Sequence, residues 1–163
     1  RPSSTRQRLW DADPATAKDV TTRRQYDAAG NVVSTTDGRG QTTSFEYDAA
    51  ERRRATEDAA GNRSEVQFDS AGNAAVVTQQ EVDPGKGRTS VQSTFTYDAA
   101  GRRISATDGL GNTARTEYDA QGNAIREVDP EGNLTAHTFD GLGRRTSTTR
   151  PLGVSITYGY DDA

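Results

Sequence analysis

The stretch Tyr97-Asp98-Ala99-Ala100-Gly101-Arg102-Arg103 decides the fold, because the 163-residue chain repeats it from one end to the other. Copies begin with Tyr at residues 26, 47 and 118, with Phe at 68 and 139, and a last copy begins at Tyr160. Repetition at a fixed period is the signature of a repeat architecture. The repeated positions are Tyr26, Asp27, Gly30, Tyr47, Asp48, Phe68, Asp69, Gly72, Tyr97, Asp98, Gly101, Tyr118, Asp119, Gly122, Phe139, Asp140, Gly143 and Tyr160.

The spacing of the recurring aromatic residue divides the chain. Successive gaps are 21, 21, 29, 21, 21 and 21 residues. The longer gap contains Asp83-Pro84-Gly85-Lys86-Gly87, a turn-rich stretch that predicts a loop inserted near residues 79–90. Residues 1–22 fit the pattern poorly and are predicted to be an irregular leader, a degenerate repeat or a cap, in which Trp10 covers the end of the core. Residues 23–163 form the repeat array.

Each repeat also contains a second Asp-x-x-Gly half without the aromatic residue, for example Asp108-Gly109-Leu110-Gly111. An Asp at the first turn position accepts hydrogen bonds from backbone N–H groups that follow it, and a Gly with φ > 0 closes a three-residue hairpin loop. Glu51 stands where Gly is expected, so its turn either adopts φ > 0 at a cost of about 1 kcal/mol or differs.

The segments between turns are about six residues long and rich in Thr, Val and aromatic residues, which is typical of β-strands. Phe45 lies two positions before Tyr47, and a separation of two places both side chains on one face of a sheet. We therefore predict an all-β fold of repeated antiparallel β-hairpins, with about 21 residues per repeat. The residue after the Gly position alternates between Asn and Arg: Asn31, Arg52, Asn73, Arg102, Asn123 and Arg144. This alternation suggests a super-repeat of two hairpins, unless it is only a trace of duplication.

The composition narrows the class of protein. Hydrophobic residues make up 31% of the chain, and the net charge is −4. Regular repeats and a small net charge argue against disorder. The absence of a basic face argues against a nucleic-acid partner. The chain has no Cys, no apolar run long enough to span a membrane, and no Met, so we expect it to be a segment of a longer polypeptide.

Tyr-Asp-x-x-Gly-[Asn/Arg], alternating with Asp-x-x-Gly-Asn-x-Thr over residues 26–163, resembles the YD-repeat or Rhs-repeat family. The resemblance implies a spiralling β-sheet ribbon or part of a hollow β-shell. In that family, bacterial Rhs and toxin-complex proteins enclose a C-terminal toxin, and teneurins carry a related barrel in cell adhesion. About fourteen strands at ~4.8 Å spacing give too little sheet to enclose a folded toxin, so this chain is expected to join further repeats.

The resemblance and the repeats together predict a structural scaffold rather than an enzyme. The expected partners are further YD repeats of the same polypeptide or identical chains, together with a toxin cargo, and the expected location is secreted or at a bacterial cell surface. A module that binds glycans or a cell-surface partner through exposed Tyr rows is the alternative. We predict no catalytic residue, no metal site and no cofactor.

Self-cleavage, calcium binding and a histidine-based site are the three kinds of chemistry that the sequence supports least. Asp129-Pro130-Glu131-Gly132-Asn133 is similar to the self-cleavage motif of family shells, but it has Asn where that motif has Leu, and Arg150 stands one repeat later. Calcium is bound by Asp-rich repeats of nine residues, whereas this period is 21. His137 is the only histidine, so a His-based triad or a zinc site lacks its partners.

Overall fold

The computed structural model describes residues 3–8 and 19–161, which form β-strands and one short 3-10 turn at Pro151–Gly153. The strands are β1 (Ser3–Arg8), β2 (Asp19–Tyr26), β3 (Val32–Thr36), β4 (Thr42–Tyr47), β5 (Arg53–Glu57), β6 (Arg63–Phe68), β7 (Ala74–Asp83), β8 (Gly87–Tyr97), β9 (Arg103–Thr107), β10 (Thr113–Tyr118), β11 (Ala124–Val128), β12 (Leu134–Phe139), β13 (Arg145–Thr149) and β14 (Ser155–Thr157).

The strands follow one another in the sheet in the same order as in the sequence. The described registers are antiparallel, as short hairpin connections require. The predicted all-β fold of repeated antiparallel hairpins is therefore confirmed. Backbone contacts divide the chain into two compact units. The first comprises Arg1–Gln67 and Val77–Val91, and the second comprises Phe68–Val76 and Gln92–Ala163.

Two kinds of hairpin alternate along the sheet. Hairpins that lack the recurring aromatic residue keep a regular register up to the turn, as in the pair Thr107↔Thr113. Hairpins that carry it have a register shift just before it, between Glu46 and Tyr47 for example. The same shift precedes Tyr26, Tyr97, Tyr118 and Phe139. Such a bulge bends the strand and redirects the side chain beside it.

The insertion is not the predicted loop. The extra residues lengthen both strands of one hairpin, so that β7 has 10 residues and β8 has 11. Only the turn at residues 84–86 is irregular. Pro84 and Gly85 correctly marked this turn, but Thr, Ser and Val on either side of it favour extended backbone and continue the strands.

The stretch predicted as a leader contains β1 and the beginning of β2, which pair with each other in register. Trp10, for which we predicted a capping role, lies outside the described residues. Across residues 3–8 and 19–161, the structure has no helix that is long and apolar enough to cross a membrane.

The sheet has a very thin core. Among the described residues, only Ala55, His137 and Thr148 are buried, at 3%, 7% and 5% exposure, and no side chain is completely enclosed. The recurring aromatic residues from Tyr26 to Phe139 are half-buried. Apolar burial therefore supplies less of the stability than it does in an ordinary domain, and the hydrogen bonds and stacking contacts of the hairpins carry more of it.

Glu51 adopts the left-handed backbone conformation that Gly adopts in the equivalent turns. Its φ is 59°, and the equivalent glycines Gly30 and Gly101 have φ of 96° and 76°. The Glu51 amide still donates to the carbonyl oxygen of Asp48 at 3.0 Å, as the Gly amides do in the other turns. The turn type is therefore retained with a strained residue in it.

Replacing Glu51 by Gly should raise the free energy of unfolding by about 1 kcal/mol, because the left-handed region is costly for residues with a Cβ. Urea denaturation measures the difference. The matched control is Gly111→Ala, at a φ of 88° where a Cβ would meet no atom within 4 Å. It should lose about 1 kcal/mol from backbone strain alone. Equal stability of E51G and the parent chain would contradict strain at this turn.

Candidate functional site

The aromatic turns are the most regular chemical feature of the molecule. In the turn after Tyr97, the amide of Asp98 donates to the carbonyl oxygen of Arg102 at 3.0 Å, and the amide of Gly101 donates to that of Asp98 at 3.0 Å. The same two bonds recur in each of the other aromatic turns and in the turns without an aromatic residue. The structure thus places every repeated Asp, and Gly where it is present, at a hairpin turn.

The Asp side chain closes each turn from inside. Oδ1 of Asp98 accepts the amides of Ala100 and Arg102 at 2.9 and 3.0 Å. Oδ2 accepts the side chain of the residue after Gly, which is Arg102 Nε at 2.7 Å here and Asn123 Nδ2 at 2.8 Å in the turn of Asp119. One carboxylate therefore satisfies up to three donors of its own turn.

These bonds stabilise the ionised form of the turn carboxylates. Hydrogen bonds from the residue four positions later are the main cause, and they hold the pKa of each carboxyl below its ordinary value. The affected residues are Asp27, Asp48, Asp58, Asp69, Asp98, Asp108, Asp119, Asp129 and Asp140. A lowered pKa indicates a carboxylate that caps a turn, whereas a general acid needs a raised one.

The alternation of Asn and Arg has a physical consequence in the second unit. Arg102 passes beyond its own turn and places its guanidinium carbon 4.7 Å from the ring centroid of Tyr118 in the next repeat. Its Nη1 also donates to the carbonyl oxygen of Asp119 at 3.0 Å. Arg144 stacks in the same way, 4.6 Å from the ring centroid of Tyr160. Asn is too short to make these contacts, so every second aromatic turn is tied forward to its successor.

The Tyr hydroxyl provides a second tie, directed backward, which the sequence analysis missed. Tyr47 donates its hydroxyl to the carbonyl oxygen of Val32 at 3.0 Å, and Tyr97 donates to that of Ala74 at 3.0 Å. Tyr118 and Tyr160 donate to the carbonyl oxygens of Arg103 and Arg145 at 3.1 and 2.8 Å. Each acceptor begins the strand that follows the previous aromatic turn. The sequence signal for this hydrogen bond was that most copies of the repeat have Tyr rather than Phe at the aromatic position.

Removing one hydroxyl should therefore cost about 1 kcal/mol of unfolding free energy, the typical net value of a hydrogen bond of this kind. We expect that loss for Tyr97→Phe, measured by urea denaturation. Phe139→Tyr is the reciprocal variant, because the carbonyl of Ala124 lies fifteen residues earlier, the spacing found for Tyr47, Tyr118 and Tyr160. It should gain up to about 1 kcal/mol. If Y97F matches the parent chain, the hydroxyl adds nothing.

Arginine pairs follow three of the aromatic turns, at Arg52-Arg53, Arg102-Arg103 and Arg144-Arg145. The second Arg of each pair lies over a ring: Arg53 is 5.4 Å from the centroid of Phe45, and Arg103 is 5.6 Å from that of Phe95. Arg145 stacks on Phe139 at 5.7 Å. Cation–π contacts of this kind favour a guanidinium over an ammonium. Their sequence signal was the placement of each Arg pair directly after the turn that follows an aromatic strand.

A network of ion pairs covers Ala55 in the first unit. Arg63 Nη1 and Arg54 Nη2 each approach a carboxylate oxygen of Glu46 at 2.7 Å, and Arg63 Nε approaches Glu65 at 3.4 Å. The hydrogen bond from Arg63 lowers the pKa of Glu46 and raises that of Arg63. Glu46 and Glu65 stand opposite Ala55 on the neighbouring strands. With Glu57, 3.7 Å from Arg63 Nη1, the network has three carboxylates and two guanidiniums.

His137 is part of the thin core rather than an open site. Its Nδ1 lies 3.0 Å from Oγ1 of Thr148, and its Nε2 lies 3.5 Å from a carboxylate oxygen of Glu127. His137 and Thr148 are both buried and stand opposite each other across β12 and β13. Although the three residues resemble a hydrolytic triad in composition, the Thr hydroxyl has no access to a substrate.

The two acidic features of the sequence are the Asp129–Asn133 motif and the aspartates at the hairpin turns. Asp129 accepts both the amide and the side chain of Asn133 at 2.8 Å, as other turn aspartates do. Within residues 3–8 and 19–161, no group of three His, Cys, Asp or Glu side chains is arranged to hold a metal ion. Each repeated Asp lies at its own turn, and in the turn of Asp129 the Glu131 side chain hydrogen-bonds to it.

The first unit also contains an open polar cleft of about 760 Å³ between the long hairpin and the turn at residues 58–62. Its walls include Thr56, Asn62, Arg63, Gln79, Lys86 and Thr89. Hydroxyls, amides, two cations and the three carboxylates of Asp58, Glu81 and Asp83 line it without an aromatic ring.

The fold and its turns define a β-hairpin repeat protein in which Tyr and Arg side chains connect aromatic hairpins to neighbouring repeats. The RHS Repeat family model matches residues 26–63, 68–113 and 118–155. The chain belongs to the RHS Repeat family. No curated protein matches it.

The chain is similar to solved structures that contain TcdB2-TccC3. A crystal structure of TcdB2-TccC3-Cdc42 is 13% identical, with a TM-score of 0.50, and the match covers 86% of this chain and 10% of that chain. A crystal structure of TcdB2-TccC3-TEV is 14% identical, with a TM-score of 0.37, and the match covers 89% of this chain and 11% of that one. The first of these likenesses shows a common fold. This chain spans about a tenth of the length of the chains it matches.

Proposed function

We propose that the chain is a structural β-scaffold, one stretch of a wall of YD/Rhs hairpins that encloses a toxin cargo or continues end to end into an extended structure. The observation that carries this proposal is that contacts between neighbouring repeats run in both directions, forward through Arg102 and backward through the Tyr118 hydroxyl. A side chain used to hold the next hairpin is not free for catalysis. Such a repeat is suited to building a wall.

The proposed partners follow from the same geometry and from the family. Further YD repeats of the same polypeptide, or identical chains, would continue the sheet, and a toxin would be the enclosed cargo. We place the protein outside the bacterial cell or at its surface. The small net charge of −4 gives no attraction to nucleic acid.

Electron microscopy and size-exclusion chromatography of the chain test the assembly. Filaments or large closed particles are the expected result, whereas a compact monomer at every concentration would contradict end-to-end assembly. Cargo enclosure requires a longer polypeptide that carries this chain with its neighbouring repeats and a cargo. Deleting residues 98–139, two complete repeats, should expose the cargo to added protease. The exposed-surface variant Arg126→Gln should leave it protected, and equal protection in both variants would contradict the wall role.

Glycan binding is the second candidate function, and the polar cleft of the first unit favours it. Amide and hydroxyl groups such as those of Asn62, Gln79 and Thr89 suit the hydroxyls of a sugar. The exposed Tyr rows that we expected for this role are not present among residues 26–139, because the recurring Tyr side chains there are half-buried. Binding on a glycan array that is abolished by Gln79→Ala would support this function, and an empty array would count against it.

A further inference from the structure

The long hairpin of β7 and β8 leaves a strand edge that has no partner among residues 3–8 and 19–161. β8 lies between β7 and β9 in the sheet, and its pairing with β9 begins only at Thr94↔Thr107. Residues 87–92 precede that point and are all exposed. Val91 is 54% exposed, which is high for an apolar residue in a strand. One side of this six-residue segment therefore presents backbone donors and acceptors to solvent.

The opposite side of the same hairpin is covered. On β7, the amide of Val82 donates to Asn62 Oδ1 at 2.9 Å, and Gln79 Nε2 donates to Ser64 Oγ at 2.9 Å. A Cβ on Gly61 would lie 3.4 Å from Val82, so the turn at residues 58–62 lies directly against β7. These contacts fasten the long hairpin on one flank and hold the β8 edge in place on the other.

The β8 edge lacks the devices that usually protect an exposed strand. Residues 87–92 contain no Pro, no Lys and no acidic residue, and their one charge is Arg88. The Arg88 guanidinium is directed inward to Gln80 Oε1 on β7, at 3.3 Å. Thr and Val favour the extended backbone that a neighbouring strand would pair with.

The segment is complementary to itself in an antiparallel register. If two copies pair with Ser90 opposite Ser90, then Arg88 faces Gln92 and Thr89 faces Val91. No like charges meet, and each Val91 packs beside a Thr methyl group. A parallel pairing in register would instead place the two Arg88 side chains side by side.

We propose that residues 87–92 are the contact through which two copies of this chain associate, by antiparallel pairing of β8 with β8. The contact lies on the long hairpin and is separate from the end-to-end continuation of the sheet. It is isologous, so it closes after two copies. Six paired residues form a small interface, and the association is therefore weak and reversible.

Sedimentation equilibrium over a wide range of protein concentration tests the proposal with charge-swapped variants. In T89K/V91K, ammonium groups would face each other in both copies, and the same holds for carboxylates in T89E/V91E. Each variant alone should associate at least about tenfold more weakly than the parent chain. An equimolar mixture of the two should associate again, because opposite charges then face each other.

Two further variants separate this contact from the alternatives. T42K/S44K adds the same charge, at the same spacing, to exposed positions of β4, which is already paired with β3 and β5. It should associate like the parent chain. S155K/T157K places charge on β14 and should disrupt only end-to-end contacts. The proposal is overturned if the parent chain shows no self-association, if the mixture fails to associate, or if only S155K/T157K weakens the dimer. Circular dichroism of every variant verifies that the hairpin still folds.

Discussion

The free energy of unfolding should stay nearly constant from neutral pH to about pH 5 and then fall steeply below about pH 4. The turn carboxylates have a folded-state pKa below the ordinary Asp value of 3.8. Their contribution is therefore complete above that value and is lost as the pH falls through the folded-state pKa. Nine turns share this property, so their small individual effects accumulate in one pH window.

Urea denaturation at a series of pH values measures this dependence. Asp108→Asn is a matched control, because its amide oxygen can still accept the amides of Leu110 and Asn112 but does not titrate. D108N should be less stable than the parent chain at pH 7 and should lose less stability on acidification. If the parent chain is as stable at pH 3 as at pH 7, the carboxylates do not hold the turns as described.

Arg102→Asn should lower the free energy of unfolding by about 2 kcal/mol, the sum of a cation–π contact and a charged hydrogen bond. The substitution is one that the chain itself uses in alternate turns, where the Asn amide also bonds to Oδ2 of the turn Asp. It removes the forward contacts to Tyr118 and Asp119, together with the ion pair of Arg102 Nη2 with Asp98 Oδ2 at 2.7 Å, which solvent screens and which therefore adds little. The effect therefore reports the tie between repeats rather than the turn.

Two companion variants test that interpretation of Arg102. Arg126→Gln removes an exposed ion pair with Glu117, whose side chains are 48% and 56% exposed, and it should cost no more than about 0.5 kcal/mol. Arg102→Lys keeps the charge but loses the planar group that lies over the ring. It should fall between R102N and the parent chain. Equal losses for R102N and R126Q would show that Arg102 acts only as a surface charge.

The sequence was sufficient to predict the local structure, because turn chemistry is decided by neighbouring residues. An Asp followed three residues later by a Gly, as in Asp98 and Gly101, determines a hairpin turn. Glu51 was correctly identified as a position where a residue other than Gly occupies the last place of that pattern. The insertion was interpreted wrongly, since Pro84 and Gly85 mark only its turn. Whether the flanking residues form a loop or lengthened strands depends on pairing between them, which the spacing does not report.

The contacts between repeats could not be predicted from the pattern alone. Nothing in the spacing shows that the Tyr97 hydroxyl reaches the Ala74 carbonyl, because the residues lie 23 positions apart and meet only once the sheet is formed. The alternation of Asn with Arg was visible, but its meaning depends on which neighbouring ring lies within reach of the longer side chain. The bond of His137 to Thr148 could not be predicted either, because it requires the register of β12 with β13.

The near absence of a buried core has a thermodynamic consequence. Ala55 is the only buried apolar residue in the part of the chain that the structure describes, so unfolding exposes little additional hydrocarbon and a large amount of polar surface. Apolar exposure raises the heat capacity and polar exposure lowers it, so the two changes nearly offset each other. The heat-capacity change of this chain should then fall below the ordinary ~12–15 cal/mol/K per residue. A sheet built from such hairpins should have a flatter stability curve, so its free energy of unfolding should change little between cold and warm surroundings.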